Sequence, residues 1–280
     1  MDWRTLEEEA DHQRVPVLWL LRDHFQRAVL YAMAQQGAFS RLAFQGGTAL
    51  RLCYGNQRFS EDPDFVSRVS PLASSHDPLD WASLADQVHG AFPWLGDLSN
   101  RTQKATRDLR RVILASHLPN GAAFRVHCEF VRVPARDVVP QALATIQGSA
   151  AIVVESREEI LADKVIAMGL RPYIKGRDVW DIAFLRAHGT RLPMVDIPKK
   201  LRDYHADVDG FRHQVALRTN ALKDPATHGT LRDELSRFVP ADQMDALDAT
   251  NAWADMASAS ARLLEDVAAS PFLSHEGPRP

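Results

Sequence analysis

The 280-residue chain has only two cysteines, Cys53 and Cys128, and neither belongs to a CxxC pair. That excludes a disulfide scaffold and a cysteine zinc site, and it suits a reducing compartment. No apolar run is long enough to span a bilayer; the longest near the start, Val15 to Leu21, is short and broken by Pro16. The opening MDWRTLEEEADHQ is acidic and lacks the basic-then-apolar order of a signal peptide. A cytoplasmic protein with no membrane partner is therefore expected. Positive charge is not in excess either. The formal net charge of −3 argues against a general nucleic-acid coating protein, while leaving room for a local basic groove. No internal repeat is visible. What is present is enough apolar sequence, 45%, to bury a sizeable core.

Leu18, Leu21, Phe25, Ala28, Val29 and Ala32 recur at helical spacing and predict an amphipathic helix from Pro16 to Gln36, stopped by Gly37. Leu42 to Phe44 reads as a short strand feeding Gly46-Gly47, with Thr48 at the N-cap of a short helix ended by Gly55-Asn56. Asp64 to Val66 reads as a strand and Asp77 to Phe92 as a helix. Arg107 to His117 and Phe124 to Val133 read as a hairpin around Pro119-Asn120-Gly121. In the return strand Phe124, Val126, Cys128 and Phe130 alternate with Arg125, His127, Glu129 and Val131, so the first set faces a core. One further short strand is expected at Ala151 to Val154. Ser156 and Glu159 form a capping box for a helix to Leu170, stopped by Pro172. Helices follow from Arg177 to Ala187 and on to about Ser270, with a frayed tail, HEGPRP. The reading is α+β: a sheet-bearing module over 1–155 and a helical module over 156–280.

The chemistry-bearing residues cluster. Asp62 and Asp64 are two apart, so on extended backbone both carboxylates point to one side and repel unless a cation lies between them. That suits magnesium or manganese, and it equally suits a solvated loop. Amides at Gly46 and Gly47, with the helix start behind them, suit a phosphate nest to which Thr48 adds a hydroxyl; glycine pairs also mark plain turns. Glu129 is a candidate third carboxylate for a two-metal site, or a solvent-facing strand residue. His127 beside it reads as a surface or paired histidine. Lys164 and Arg171 share one helix face, and Asp178 and Asp181 share another, with Arg177 able to pair with either aspartate. This fits a phosphate-gripping lysine held by two aspartates, or a structural salt-bridge network. The basic string Arg101, Lys104, Arg107, Arg110 and Arg111 fits an RNA guide or a solvated face.

FQGGTALRLCYGNQRFSEDPDF and ADKVIAMGLRPYIKGRDVWDIAFL together resemble the AbiEii/AbiGii-type nucleotidyltransferase toxins of the DNA polymerase β-like superfamily. The shared elements fall on Gly46 to Leu50, Arg58 to Asp64, Glu129, Lys164 to Ala167, and Arg177 to Asp181. Pro63 stands where the family has an apolar strand former. The resemblance implies a small mixed sheet flanked by helices, then a helical domain. It implies an enzyme that moves a nucleoside monophosphate from an NTP to an acceptor, the 3′ end of tRNA in some members, with Mg2+ or Mn2+. A toxin of a toxin–antitoxin or phage-defence (abortive infection) system, with a cognate antitoxin as partner, is implied as well. Asp62, Asp64 and Glu129 would then hold metal, and Gly46, Gly47, Thr48, Lys164 and Arg177 the nucleotide. Asp178 and Asp181 would support Lys164 or the acceptor. Two alternatives stay open: modification of a protein or small molecule, and a degenerate member that binds nucleotide without turnover.

Overall fold

The computed structural model describes residues 1–68 and 79–273. The start of the helix expected from Asp77 and the tail HEGPRP lie outside the described residues. The chain forms two compact units, Met1–Ser156 and Arg157–Pro280.

The first unit is built on one seven-stranded mixed sheet. Its strands are β1 (Leu42–Gln45), β2 (Asp64–Ser67), β3 (Ser99–Ala105), β4 (Leu109–His117), β5 (Ala123–Pro134), β6 (Val138–Thr145) and β7 (Gly148–Glu155). Their order is β3-β4-β5-β2-β1-β7-β6. β2 runs parallel to β5 and β1 parallel to β7; the other neighbours are antiparallel. The helices are α1 (Trp3–Gln13), α2 (Val17–Gln35), α3 (Gly46–Tyr54) and α4 (Trp81–Ala91). α2 buries Leu21, Phe25, Ala28, Val29 and Ala32, the period expected, although Leu18 stays 39% exposed. Gly37 ends it at φ 69°, a conformation open to glycine without steric cost. Phe25 packs edge-on against Phe124 of β5, and Trp81 of α4 packs against Phe130, so one sheet face is the core. Val126 and Cys128 are fully buried in that layer.

Three elements escape the pattern reading. α1 buries only Leu6 and Ala10, too few apolar positions among its acidic residues to stand out. β3 is exposed at all seven residues and has no apolar alternation to betray it. β6 and β7 form a full hairpin where a single short strand was expected, because Pro140 and the mixed small residues of β6 leave no clear apolar alternation.

The second unit is helical: α5 (Arg157–Leu170), α6 (Gly176–Ala187), α7 (Ile197–Asp203), α8 (Val208–Lys223), α9 (Pro225–Leu235), α10 (Ala241–Ala249) and α11 (Ala252–Ala268). Leu235, Val239, Met244 and Trp253 form one of its cores, with Trp180 and Met256 packed against it. Close packing rests on two glycines. A Cβ at Gly169 would lie 2.3 Å from the Phe211 ring, and one at Gly176 would lie 2.7 Å from the Leu231 carbonyl. Lys200 is buried between Glu159 and Asp163, at 2.6 and 2.7 Å. None of the helices among the described residues is long and apolar enough to cross a membrane.

Candidate functional site

Two rungs of the first unit's sheet, two residues apart on β5, carry the candidate residues. The Pro63 carbonyl accepts the Glu129 amide at 3.1 Å, which starts the parallel pairing of β2 with β5. Pro63 has no N–H to lose at that position. Asp64 is thereby the register partner of Glu129, and Phe65 that of Phe130. The Phe65 and Phe130 rings stack at 4.9 Å and 12°, so that pair shares one face of the sheet. The pair one residue earlier, Asp64 and Glu129, shares the opposite face. Asp62 reaches the other rung: its Oδ1 accepts the His127 amide at 2.9 Å and lies 3.2 Å from His127 Nδ1. Asp62, His127, Asp64 and Glu129 therefore occupy one patch on the face away from the aromatic core. Cys128 lies under it. Its thiol is pushed far above the usual range by burial first, and further by the Asp62 and Asp64 charges.

β4 supplies the cation. Arg111 is the register partner of Glu129, and its guanidinium is ion-paired to the Glu129 carboxylate. An open cleft of about 380 Å³ adjoins Asp62, lined by Arg22, Glu61, Asp62, Ala123, Arg125 and His127.

The glycine motif is built differently from expectation. α3 begins at Gly46 with Gln45 as N-cap, and Thr48 is its third residue rather than the cap. Thr48 is fully buried; its hydroxyl donates to the Asp62 carbonyl and lies 2.8 Å from Ser60 Oγ. It braces the segment that carries Asp62. Gly46 has φ 77°, and the Asp64 carboxylate lies 3.0 Å from where its Cβ would be. Gly47 is glycine for another reason: a Cβ there would sit 2.1 Å from the guanidinium of Arg58, which is itself buried. The arginine of the Arg-Phe-Ser-Glu-Asp stretch is thus the structural complement of the second glycine.

In the second unit, Lys164 Nζ lies 2.9 Å from Asp178 Oδ1 and 2.7 Å from Asp181 Oδ2. Arg171, just past the C-terminus of α5 and seven residues beyond Lys164, pairs with the other oxygen of Asp178. Burial alone would raise the Asp178 carboxyl, but Lys164 and Arg171 outweigh it and hold it below the usual range. Arg177 is ion-paired at 3.3 Å with Glu234, a partner the local spacing did not suggest, and lies over the Phe238 ring. The Gly176 amide donates to the same Glu234 carboxylate.

Comparison with known proteins bears on the family and the fold. The family model described as nucleotidyl transferase AbiEii toxin, type IV TA system, matches residues 28–269. No curated protein is similar enough to count as a relative. Among solved structures, MenT4, a nucleotidyltransferase toxin from Mycobacterium tuberculosis H37Rv, superposes with a TM-score of 0.54 at 18% identity. The match covers 89% of this chain and 85% of that one. JHP933 from Helicobacter pylori gives a TM-score of 0.51 at 21% identity, covering 89% and 94%. At such identities the likeness speaks for the fold: α+β, a nucleotidyltransferase core with a helical C-terminal part. With the family model spanning most of its length, the chain belongs to the AbiEii nucleotidyltransferase toxin family of type IV toxin–antitoxin systems.

Proposed function

We propose that this chain transfers a nucleoside monophosphate from an NTP to the 3′ end of an RNA, with tRNA as the preferred acceptor and a divalent cation as cofactor. The observation that carries the reading is the pair of rungs Asp62–His127 and Asp64–Glu129 on one sheet face. The donor set fits the cofactor: three carboxylates, all hard oxygen donors, as Mg2+ or Mn2+ prefers. Glu129 already draws Arg111, and Asp62 draws the His127 amide. When bound, the cation would neutralise phosphate charge and lower the pKa of an acceptor hydroxyl.

The protein's own share is positioning and charge. Asp62 and Asp64 would hold the cation, which would supply charge to neutralise the reacting phosphate. Glu129, on the adjoining strand, would accept the proton of the attacking 3′ hydroxyl once released by Arg111. Gly46, with its amide at the start of α3, would receive the triphosphate beside Asp64, while Gly47 and Thr48 keep that segment in place. Lys164 would neutralise charge on the nucleotide, oriented by Asp178 and Asp181, and Arg177 would add a second cation. A cognate antitoxin as partner follows from the family.

The test is incubation of the purified chain with each radiolabelled NTP and total RNA, with and without Mg2+. Label in the tRNA band that disappears in Asp64→Ala supports the reading. Label in protein or in a small molecule would replace the acceptor, and no label from any NTP would favour a binding-only member.

A further inference from the structure

The rung through Asp64 and Glu129 does not stop at the site. It continues across β4 to Arg111 and across β3 to Lys104. Two positions on, a rung of the same face runs from His127 through Ile113 to Arg101. Arg101 and Lys104 are three apart, an odd separation that would normally put them on opposite faces of a strand. A register shift between Thr102 and Lys104 removes Gln103 from the ladder and brings both cations to the face of the carboxylates. Arg110 goes the other way, toward Thr102 on the core side, and Arg107 sits at the hairpin tip. The five-residue basic string thus divides, and three of its members line up with the candidate catalytic rungs.

We propose that the β3–β4 half of this sheet face is the bed for the phosphate backbone of the acceptor strand, with Arg101 and Lys104 as its contacts. The inference rests on the RNA-acceptor reading above and adds the direction from which the RNA enters. Several observations support it. β3 is exposed along its whole length and carries no carboxylate, although the chain as a whole is acidic. An exposed edge strand needs charge to prevent edge pairing, but not charge gathered on one face. At about 4.8 Å per strand, Lys104 stands roughly 10 Å from Glu129 in the same rung. That places a backbone contact a short distance upstream of a 3′ hydroxyl presented to Glu129.

The test compares the wild-type full chain, the double variant Arg101→Gln/Lys104→Gln, the charge-retaining Arg101→Lys/Lys104→Arg, and a charge-matched control, Arg4→Gln/Arg14→Gln, in the first turn of α1 and at its C-cap. Each is titrated with a fluorescent single-stranded RNA bearing a free 3′ hydroxyl, over a range of salt, after a melting curve confirms the fold. Loss of two phosphate contacts should make the slope of log K against log salt shallower by about 1.4 and weaken binding about tenfold near 0.15 M salt. The charge-retaining pair and the α1 control should behave as wild type. If the wild type binds RNA and the Gln pair binds equally well, or if the α1 control weakens as much, the bed is not on β3–β4 and the RNA reading survives. If the wild type binds no RNA, the inference and the acceptor assignment both fall.

Discussion

Lys164→Met is the most informative single substitution. The lysine is 14% exposed and bridges Asp178 and Asp181, whose side chains are 4% and 0% exposed. Methionine keeps the length and volume of the stem and removes the charge. Asp178 keeps Arg171, but Asp181 loses a cation 2.7 Å away in a place where it cannot rehydrate. Breaking a buried pair on one side costs about 3–5 kcal/mol, and the retained Arg171 puts the expectation near ~3 kcal/mol. For a chain of this length that corresponds to a fall in Tm of about 5 °C, read by calorimetry or circular dichroism. The double variant Lys164→Met/Asp181→Leu should recover most of the loss, because it leaves no orphaned charge. A single variant that melts within ~2 °C of wild type would refute the electrostatic reasoning. Transfer per folded molecule reports separately on the proposed role. It should fall by at least ~10²-fold, about 2.7 kcal/mol of transition-state stabilisation, in both the single and the double variant. A double variant with restored stability and full transfer would leave Lys164 as a brace alone.

Other outcomes follow from the same geometry. Gly47→Ala should cost about 1–3 kcal/mol, because its Cβ meets the buried Arg58 guanidinium, and chemical denaturation would show it as a lowered midpoint. An unchanged midpoint would mean that Arg58 moves freely. The Asp178 carboxyl is held below its ordinary value, so its contribution to stability is complete above the unfolded value of about 3.9 and is lost as pH falls through the lower folded value. Melting temperatures taken from pH 6 to pH 2 should therefore fall less steeply at the acid end in Asp178→Asn than in wild type. Arg111→Gln should free Glu129 and tighten Mn2+ binding measured by calorimetry without nucleotide; weaker binding would show that Arg111 supports the carboxylate instead of competing for it.

Much of the local structure was legible from local pattern. The period of α2, the stop at Gly37 and the two-faced alternation of β5 depend on side chains a few residues apart, and burial follows them directly. The motif residues were also legible as a set, because their types and spacing carry the resemblance. The sequence by itself therefore determined an α+β chain, a carboxylate pair beside a glycine motif, and a lysine with two aspartates within reach. Tertiary structure decided the partners. That Glu129 meets Arg111, Asp62 meets His127, Gly47 admits Arg58 and Arg177 turns to Glu234 are matters of sheet register and helix packing between distant segments. Period-2 alternation gives a residue's face within its own strand but not the strand next to it. A single bulged residue at position 103 inverts even that, and it moves Lys104 from the face its spacing implies to the face where the carboxylates lie.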